Sequence, residues 1–450
     1  MKYLSELSLL ICAMCLLSCN KGPSAASILA HIKAPVFRDA DVRMQACDDF
    51  RTALNDAIVL CSEEGGGRVV VPAGEYTCNG PIILRSNVNL HLEKGATIFF
   101  GTKINDYLPA VRTLFEGTEL YNYSPFVYAY EAENIALTGE GVLDGQASQS
   151  FALFRPQRSA QQDSLRQMGF DGIPVENRCF GERSILPPSM IQPFGCKNVL
   201  IEGVTLKDSP YWVIHPVLCD NVTVRGISIS SYNLNNDGCD PEHTSNVLIE
   251  NCRFDCGDDA IAIKAGRDQD AWRRGVPTKN ILIRNCDFNS KCNGLCIGSE
   301  MSAGVENVVA EHIRIGKCHS GIYFKSNLDR GGYIKHVRVR DVVCDTVRTA
   351  FIRFDNAYHQ ARGGHYPTLF DDFIVEDVYG GVSGECGFYA VGLEDKPLGR
   401  ILLKNIELGS APIPYVLRLA PDVRFKNIRI NGMLMDEHPS DTEISQLKTF

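Results

Sequence analysis

After its first nineteen residues this chain of 450 residues lacks any apolar run that could cross a bilayer, which takes about 20 consecutive apolar residues. It is also short of positive charge. Lys and Arg number 45 against 54 Asp and Glu, a formal net charge of −9, which argues against a nucleic-acid-binding body. Local charge governs binding, so an anionic ligand is not excluded. None of the 18 cysteines forms a pair that comes with a second Cys or His pair at zinc-ligand spacing, which argues against a structural zinc site. Amphipathic helical patterns are few, and no series of hairpin turns is present, as the four-stranded blades of a propeller would require.

The N-terminal exception reads as a targeting segment. Lys2 precedes an apolar run from Leu7 to Leu17, too short for a comfortable span, and the run ends Leu17-Ser18-Cys19. That ending resembles a bacterial lipobox, in which Cys19 is lipidated and becomes the mature N-terminus; an ordinary signal peptide is the alternative. Residues 1–19 are therefore expected to be a lipoprotein-type signal, 20–35 a tether, and 36–450 one exported domain, periplasmic or at the cell surface. Contact with a membrane is expected only through Cys19. An exported chain permits disulfides, and Cys292 with Cys296 is a candidate pair, but the connectivity is open.

What the chain does have is a loose internal repeat. A polar residue followed by an apolar–x–apolar phrase begins at Asn198, Asn221, Asn246, Asn280, Asn307, His336, Asp372, Arg400 and Asp422, with weaker copies at Asn87 and Asn134. Between Asn198 and Asp422 the spacings run from 22 to 36 residues, the period of a solenoid or propeller. The second strand of successive units aligns Ile261 and Ile263 with Leu295 and Ile297, then Ile322 and Phe324, as inward columns. Ala262, Cys296 and Tyr323 form one outward column, and Lys264, Gly298 and Lys325 another. Cys252 and Cys286 share a repeat position and read as stacked core thiols. The pattern predicts an all-β chain, a right-handed parallel β-helix, with a propeller as runner-up. Asp48 to Cys61 is amphipathic, and Gly65-Gly66-Gly67 ends it. A helical cap there would cover the apolar core that an open solenoid end exposes. Residues 103–130 and 146–190 break the repeat and are expected to be loops flanking a cleft.

Two acidic motifs sit one repeat apart, Asn235-Asn236-Asp237-Gly238 and Gly257-Asp258-Asp259-Ala260. Alignment of the units stacks Asp237 on Asp259 and Asp259 on Asn293, with Asp258 at the flank. Each motif alone is an ordinary turn former. Two in register gather three carboxylates on one face, and like charges at close range resist ionising together. Proton transfer on a sugar linkage is the use such a cluster suggests. Lys264, Arg267, Arg273, Arg274, Lys291 and Lys325 lie in the surrounding units, as solvated surface or as local counter-charge. Trp212 and His215, just before the first motif, are either substrate contacts or core.

Together with Asn198–Leu206, Ser209–Pro216, Asn235–Pro241, Gly257–Lys264, Ile297–Met301 and Lys325-Ser326-Asn327, these motifs make the chain resemble the polygalacturonases and related pectin hydrolases of glycoside hydrolase family 28, over roughly residues 40–430. The resemblance implies that Asp258 is the general acid, that Asp237 and Asp259 activate water with inversion, and that no cofactor or metal is needed. It further implies that Asn235 and Lys325 position a pectic poly- or oligosaccharide. Lys264, Asn293 and Tyr323 complete the candidate substrate-binding set. Two positions depart from the family pattern. Asn293 stands where the family has a His that supports the acid, and Tyr323 where it has an Arg that holds a uronate. Loss of the Arg removes a bidentate carboxylate partner. A neutral or branched neighbour sugar, as in a rhamnogalacturonan-type pectin, is therefore expected, with Tyr323 stacking on a sugar face. The long insertions suggest a walled cleft and exo action. A polysaccharide lyase on the same solenoid and a non-catalytic glycan-binding lipoprotein are the competing readings.

Overall fold

The computed structural model describes residues 22–45, 47–154, 158–359 and 361–442. The expected signal segment, with Cys19, lies outside them. The chain winds as a right-handed parallel β-helix, in which strands of successive turns pair in parallel and in register. One sheet matters most for function. It begins with Ile82–Ile83, Val127–Tyr130 and Ile191–Phe194, passes through single bridges at Ile214 and Cys239, and broadens from Ile261–Ile263 through Asn293–Ile297, Ser320–Lys325, Ala350–Asp355 and Cys386–Val391 to Ile413–Arg418.

The expected inward columns hold. Ile261, Ile263, Leu295, Ile297, Ile322 and Phe324 are each at most 1% exposed, within one core that runs the length of the solenoid. Each such side chain contributes about 1.5–3 kcal/mol by leaving water. Cys252 and Cys286 lie at neighbouring positions in this core. Cys292 and Cys296 are both free thiols and do not pair: Cys292 lines the cleft, whereas Cys296 is buried among Ala262 and Tyr323.

The recurrent asparagine has a conformational cause. Asn198, Asn221, Asn246, Asn280 and Asn307 all take left-handed φ values between 55° and 60°, where Asn is among the few side chains tolerated. Their amides then stack as a ladder: Asn280 Nδ2 donates to Asn246 Oδ1 at 2.9 Å, and Asn307 Nδ2 to Asn280 Oδ1 at 3.2 Å. His336 and Asp372 extend the left-handed position by two turns and bond each other at 2.6 Å.

Residues 22–35, expected as a tether, are docked. Helix α1 (Ala25–Leu29) buries Ile28 against Leu248, Leu282 and Val309 on the outside of the solenoid. The backbone of Lys33 then exchanges hydrogen bonds with Asn221 at 2.6 and 3.0 Å. Helix α2 (Phe50–Glu63), capped by Asp49, covers the N-terminal end with Phe50, Leu54, Ile58 and Cys61 buried; it starts and ends two residues later than its pattern suggests.

The insertions carry more structure than loops. Val111–Phe115 and Thr118–Asn122 form an antiparallel hairpin, and Val127–Tyr130 rejoins the β-helix. Within 146–190 lies helix α3 (Ser159–Asp171). Only Leu165 and Gly169 of this helix are buried, so it leaves almost no apolar periodicity in the sequence. It packs against helix α4 (Asp268–Arg274), which leaves the front sheet after Ile263. Arg178 clamps Asp270 with two bonds of 2.8 and 2.9 Å, and Arg274 pairs with Glu119.

Candidate active site

The rungs place the acidic motifs as their alignment suggests. The Val213 N–H donates to Asp237 O at 2.8 Å, Gly238 N–H to Asp259 O at 2.9 Å, and Ala260 N–H to Asn293 O at 2.9 Å, so Asp237, Asp259 and Asn293 occupy successive turns. Asp258 stands on the turn just before this column, half-buried, with one oxygen accepting the Asp259 N–H at 3.0 Å. All three carboxylates line a cleft of about 420 Å³, a volume ordinary for a small-ligand site.

The three acids differ in environment. Asp259 is 1% exposed. Burial alone would raise its pKa, but Lys325 and Lys264 outweigh burial and hold it below the usual carboxylate range. Lys325 Nζ lies 2.9 Å from Asp259 Oδ2, and the Asn293 side-chain amide and backbone N–H both donate to Oδ1, at 2.6 and 3.1 Å. Asp258 is raised by burial and by the neighbouring Asp259 charge. Asp237 is raised further, by burial and then by Asp240 and Asp258, and its Oδ1 has no hydrogen-bond partner. The cluster thus sets a carboxylate held toward its ionised form, Asp259, beside a half-exposed acid shifted toward its protonated form, Asp258. One proton donor and one proton acceptor with separated pKa values are the parts that acid–base chemistry needs.

Lys264 is the cationic hub. Its Nζ lies 3.2 Å from Glu300, 3.8 Å from Asp237 and 3.9 Å from Asp240, and 4.7 Å from the centre of the Trp212 ring. Gly298, between Lys264 and Lys325 in their column, has φ +104°, and a Cβ there would come within 2.0 Å of the Lys325 carbonyl oxygen. A glycine lets the two lysine-bearing turns approach. Asp258, Asp259 and Cys292 each offer one ligand atom within 4.8 Å of the others. Lys325 already neutralises Asp259, and burial raises the Cys292 thiol, so the donor set does not favour a metal ion.

Other candidates are placed differently from expectation. Tyr323 is 3% exposed and does not line the cleft. Its hydroxyl donates to Asp355 at 3.0 Å and its ring meets Tyr358 edge-on, so Tyr358 is the tyrosine that a sugar would meet. The outward column is covered here by the segment after Asp355, which belongs to no repeat. His215 is core: it is fully buried and bonded to Glu242 at 2.8 Å and Gln192 at 2.9 Å, whereas Trp212 does reach the cleft. Asn235 lines the cleft and accepts from Arg158. Arg267 also lines it, paired with Glu300 at 2.5 Å and Glu116 at 3.3 Å; Arg273 and Arg274 instead hold the insertions.

Sequence reasoning did not single out Glu116, Asp240, Glu300, Tyr358 and Arg330. Asp240 and Glu300 lie inside the matching stretches, and the two-residue alternation from Gly238 and Gly298 places both facing outward. Glu116 and Tyr358 come from non-repeating segments and left no signal.

Segments outside the repeat border the cleft. Glu116 accepts from Tyr211 at 2.5 Å and pairs with Arg166 of helix α3 at 2.6 Å. Asp163, also on α3, pairs with Arg362 of the segment after Asp355 at 2.8 Å. The insertions therefore border the cleft from Trp212 to the segment after Asp355.

Residues 61–414 match the family described as Glycosyl hydrolases family 28. The chain is 38% identical to a hyperthermoactive exopolygalacturonase from Thermotoga maritima, with a TM-score of 0.87 over 91% of this chain and 96% of that one. It is 28% identical to a probable polygalacturonase of Vitis vinifera, over 79% of this chain and 70% of that protein. It is 24% identical to an endo-polygalacturonase of Pectobacterium parmentieri, over 80% and 84%.

Proposed function

Because this chain belongs to glycosyl hydrolases family 28 and is a glycoside hydrolase, we propose that it hydrolyses galacturonosyl linkages of pectic chains one terminal unit at a time. The observation that carries this reading is the walled cleft. Glu116, Tyr211 and Arg166 are bonded together at its border one turn from Asp237, which suits a chain that enters by its end. Both exo- and endo-acting proteins are among the relatives, and the bordered cleft supports the exo reading.

In this reading Asp258 protonates the departing oxygen. Its raised pKa keeps the proton available, and its half-exposed position faces the substrate. Asp259, held ionised by Lys325 and Asn293, takes a proton from the attacking water, with Asp237 completing the water site; the product is inverted. The buried Lys264–Glu300–Arg267 network keeps the cluster from collapsing into shared protons. Asn235, Lys325 and Tyr358 contact the sugars.

The test is a timed digest of polygalacturonan and of rhamnogalacturonan, with products separated by size. Release of monomer from the outset on polygalacturonan is expected; early mid-length oligomers would refute exo action. Preference for the rhamnogalacturonan would favour a branched pectin as the substrate instead. An exported, lipid-anchored location through Cys19 completes the proposal, tested by incorporation of labelled palmitate into wild type but not Cys19→Ala.

A further inference from the structure

Residues 22–33 lie as a strap along the outside of the solenoid. The two-residue alternation turns Leu248, Leu282 and Val309 outward on successive strands of one sheet, and Arg338 continues that column. An outward apolar column needs a cover. Helix α1 supplies it, with Ile28 2% exposed among the three and Ala25, Leu29 and Ile32 packed around them. A helix of five residues has no stability of its own, so the sheet is what holds it. Its start is fixed by a reciprocal pair: Ser24 N–H donates to Ser27 Oγ at 3.0 Å, and Ser27 N–H to Ser24 Oγ at 3.1 Å. The strap is tied at both ends. Beyond Lys33 and its bonds to Asn221, Asp41–Arg43 pairs with Gly67–Val71 as a strand of the same sheet. At the other end a Cβ on Gly22 would run into the Arg338 guanidinium, which Asp372 holds at 2.8 Å.

The place where the strap begins limits how the body can sit. Gly22 is three residues after Cys19, and three residues span at most about 11 Å. Arg338 lies well inside the solenoid. Three more strands of its sheet follow it, about 14 Å of solenoid, and a longer series precedes it. A link of that length, leaving from Gly22, reaches neither end of the molecule. The charges on this face are neutralised along the sheet: Arg284 by Glu250 at 2.7 Å, Lys335 by Glu306 at 3.0 Å and Arg340 by Glu311 at 2.6 Å. A face of paired charges neither repels nor needs an anionic surface beside it. The cleft opens on the other sheet, at Ile261–Ile263, Asn293–Ile297 and Ser320–Lys325.

We propose that the face crossed by residues 22–33 is the surface this protein turns to a membrane, its partner being a lipid headgroup layer. The proposal rests on the reading that Cys19 is lipidated, and adds to it an orientation. With the strap docked, the solenoid axis lies along the bilayer and the body is held within a short link of the headgroups. The cleft, on a different face, stays open to a chain arriving from solution. A long loose tether would instead let the body turn freely and present every face alike.

The test places the full lipidated chain in vesicles of phosphatidylethanolamine and phosphatidylglycerol that carry a nitroxide on a fraction of their headgroups, a quencher of short range. A fluorophore is attached at Arg340→Cys on the strap face, where the side chain is 51% exposed, or at Phe170→Cys on helix α3, which is 52% exposed beside the cleft. Both are made with Cys47→Ser and Cys179→Ser, which remove the exposed thiols, and the chain without an added cysteine gives the background. The label at 340 is expected to lose most of its fluorescence and the label at 170 little. Adding Ile28→Asp sets a charge among Leu248, Leu282 and Val309 and frees the strap while leaving the solenoid core untouched. It should restore the fluorescence at 340 with turnover and palmitate incorporation unchanged. Equal quenching at the two positions, or quenching at 340 that survives Ile28→Asp, would overturn the assignment of the face. Palmitate incorporation separates the two claims. Equal quenching in a palmitate-labelled protein refutes the orientation and leaves the anchor, whereas no incorporation refutes the anchor and the orientation with it.

Discussion

Replacing Lys325 by methionine asks whether this lysine serves the carboxylate beneath it or the sugar above it. Its Nζ sits 2.9 Å from Asp259 Oδ2, with side-chain exposures of 8% and 2%. Two unit charges about 4 Å apart attract by about 4 kcal/mol at an effective dielectric of about 20. Removing one member of a buried pair costs about 3–5 kcal/mol, because the other is left uncompensated. Methionine preserves the aliphatic length that packs near Tyr323 and Tyr358, so the loss is electrostatic. Asp259 then keeps Asn293 and the more distant Lys264, burial dominates, and its pKa rises. Asp259 must be ionised to accept a proton, so the acid limb of the kcat profile moves to higher pH. At an acidic pH where wild type is active, kcat falls by about 100-fold or more, the equivalent of about 3 kcal/mol. Stability follows the same sign. The pair stabilises the fold above the unfolded Asp pKa, and that contribution is lost as pH falls through the depressed folded value. Urea midpoints of the two proteins therefore differ near neutrality and converge in acid. The assay is kcat and kcat/KM against pH for both proteins on an oligogalacturonide. An unmoved acid limb, with the loss confined to KM, would show that Lys325 acts on the substrate alone and refute the reasoning.

Four further outcomes are expected. Asp258→Asn lowers kcat by about 10³-fold in a reducing-sugar assay, within the span of general acid catalysis, and leaves the melting temperature equal or higher because a crowded charge is removed. Glu116, despite burial, is held at about 2 by Arg166 and Arg267, below its ordinary 4.5. This contributes about 3 kcal/mol of stability, present above about pH 4.5 and lost as pH falls toward 2. Glu116→Gln should therefore flatten acid denaturation over that interval and, by freeing Arg166, let longer products appear in the digest. Asn280→Ala breaks two rungs of the amide ladder and leaves φ +59° to a residue without the polar side chain that lets Asn adopt it. It should cost about 1–3 kcal/mol in urea unfolding, and Asn280→Gly, which keeps only the ladder loss, should cost less. Proton NMR of the first product should show inverted anomeric configuration; retention would assign Asp259 or Asp237 as a nucleophile rather than a base.

The β-helix was legible because its cause is local and periodic. A left-handed Asn before each apolar strand, with every second residue apolar, specifies both a bend and an inward face, and repetition specifies the stacking. The same register puts Asp237, Asp259 and Asn293 in one column, since a rung advances the chain without changing the face. Helix α3, with Leu165 and Gly169 as its buried residues, has no such periodicity and could only be read as loop.

The limits follow the same physics. Residues that face outward are constrained by what happens to lie above them, and no repeat encodes that. Tyr323 was expected to meet a sugar and instead lies under Tyr358. Lys325 was expected to hold substrate, yet its shortest contact is to Asp259. The wall at Glu116, Arg166 and Asp163 joins segments far apart in the chain through ion pairs that no spacing announces. Short-range periodicity was enough to write the solenoid and align its acids. Which acid keeps its proton, and where the cleft ends, depend on burial and on charges that tertiary packing alone brings within a few ångströms.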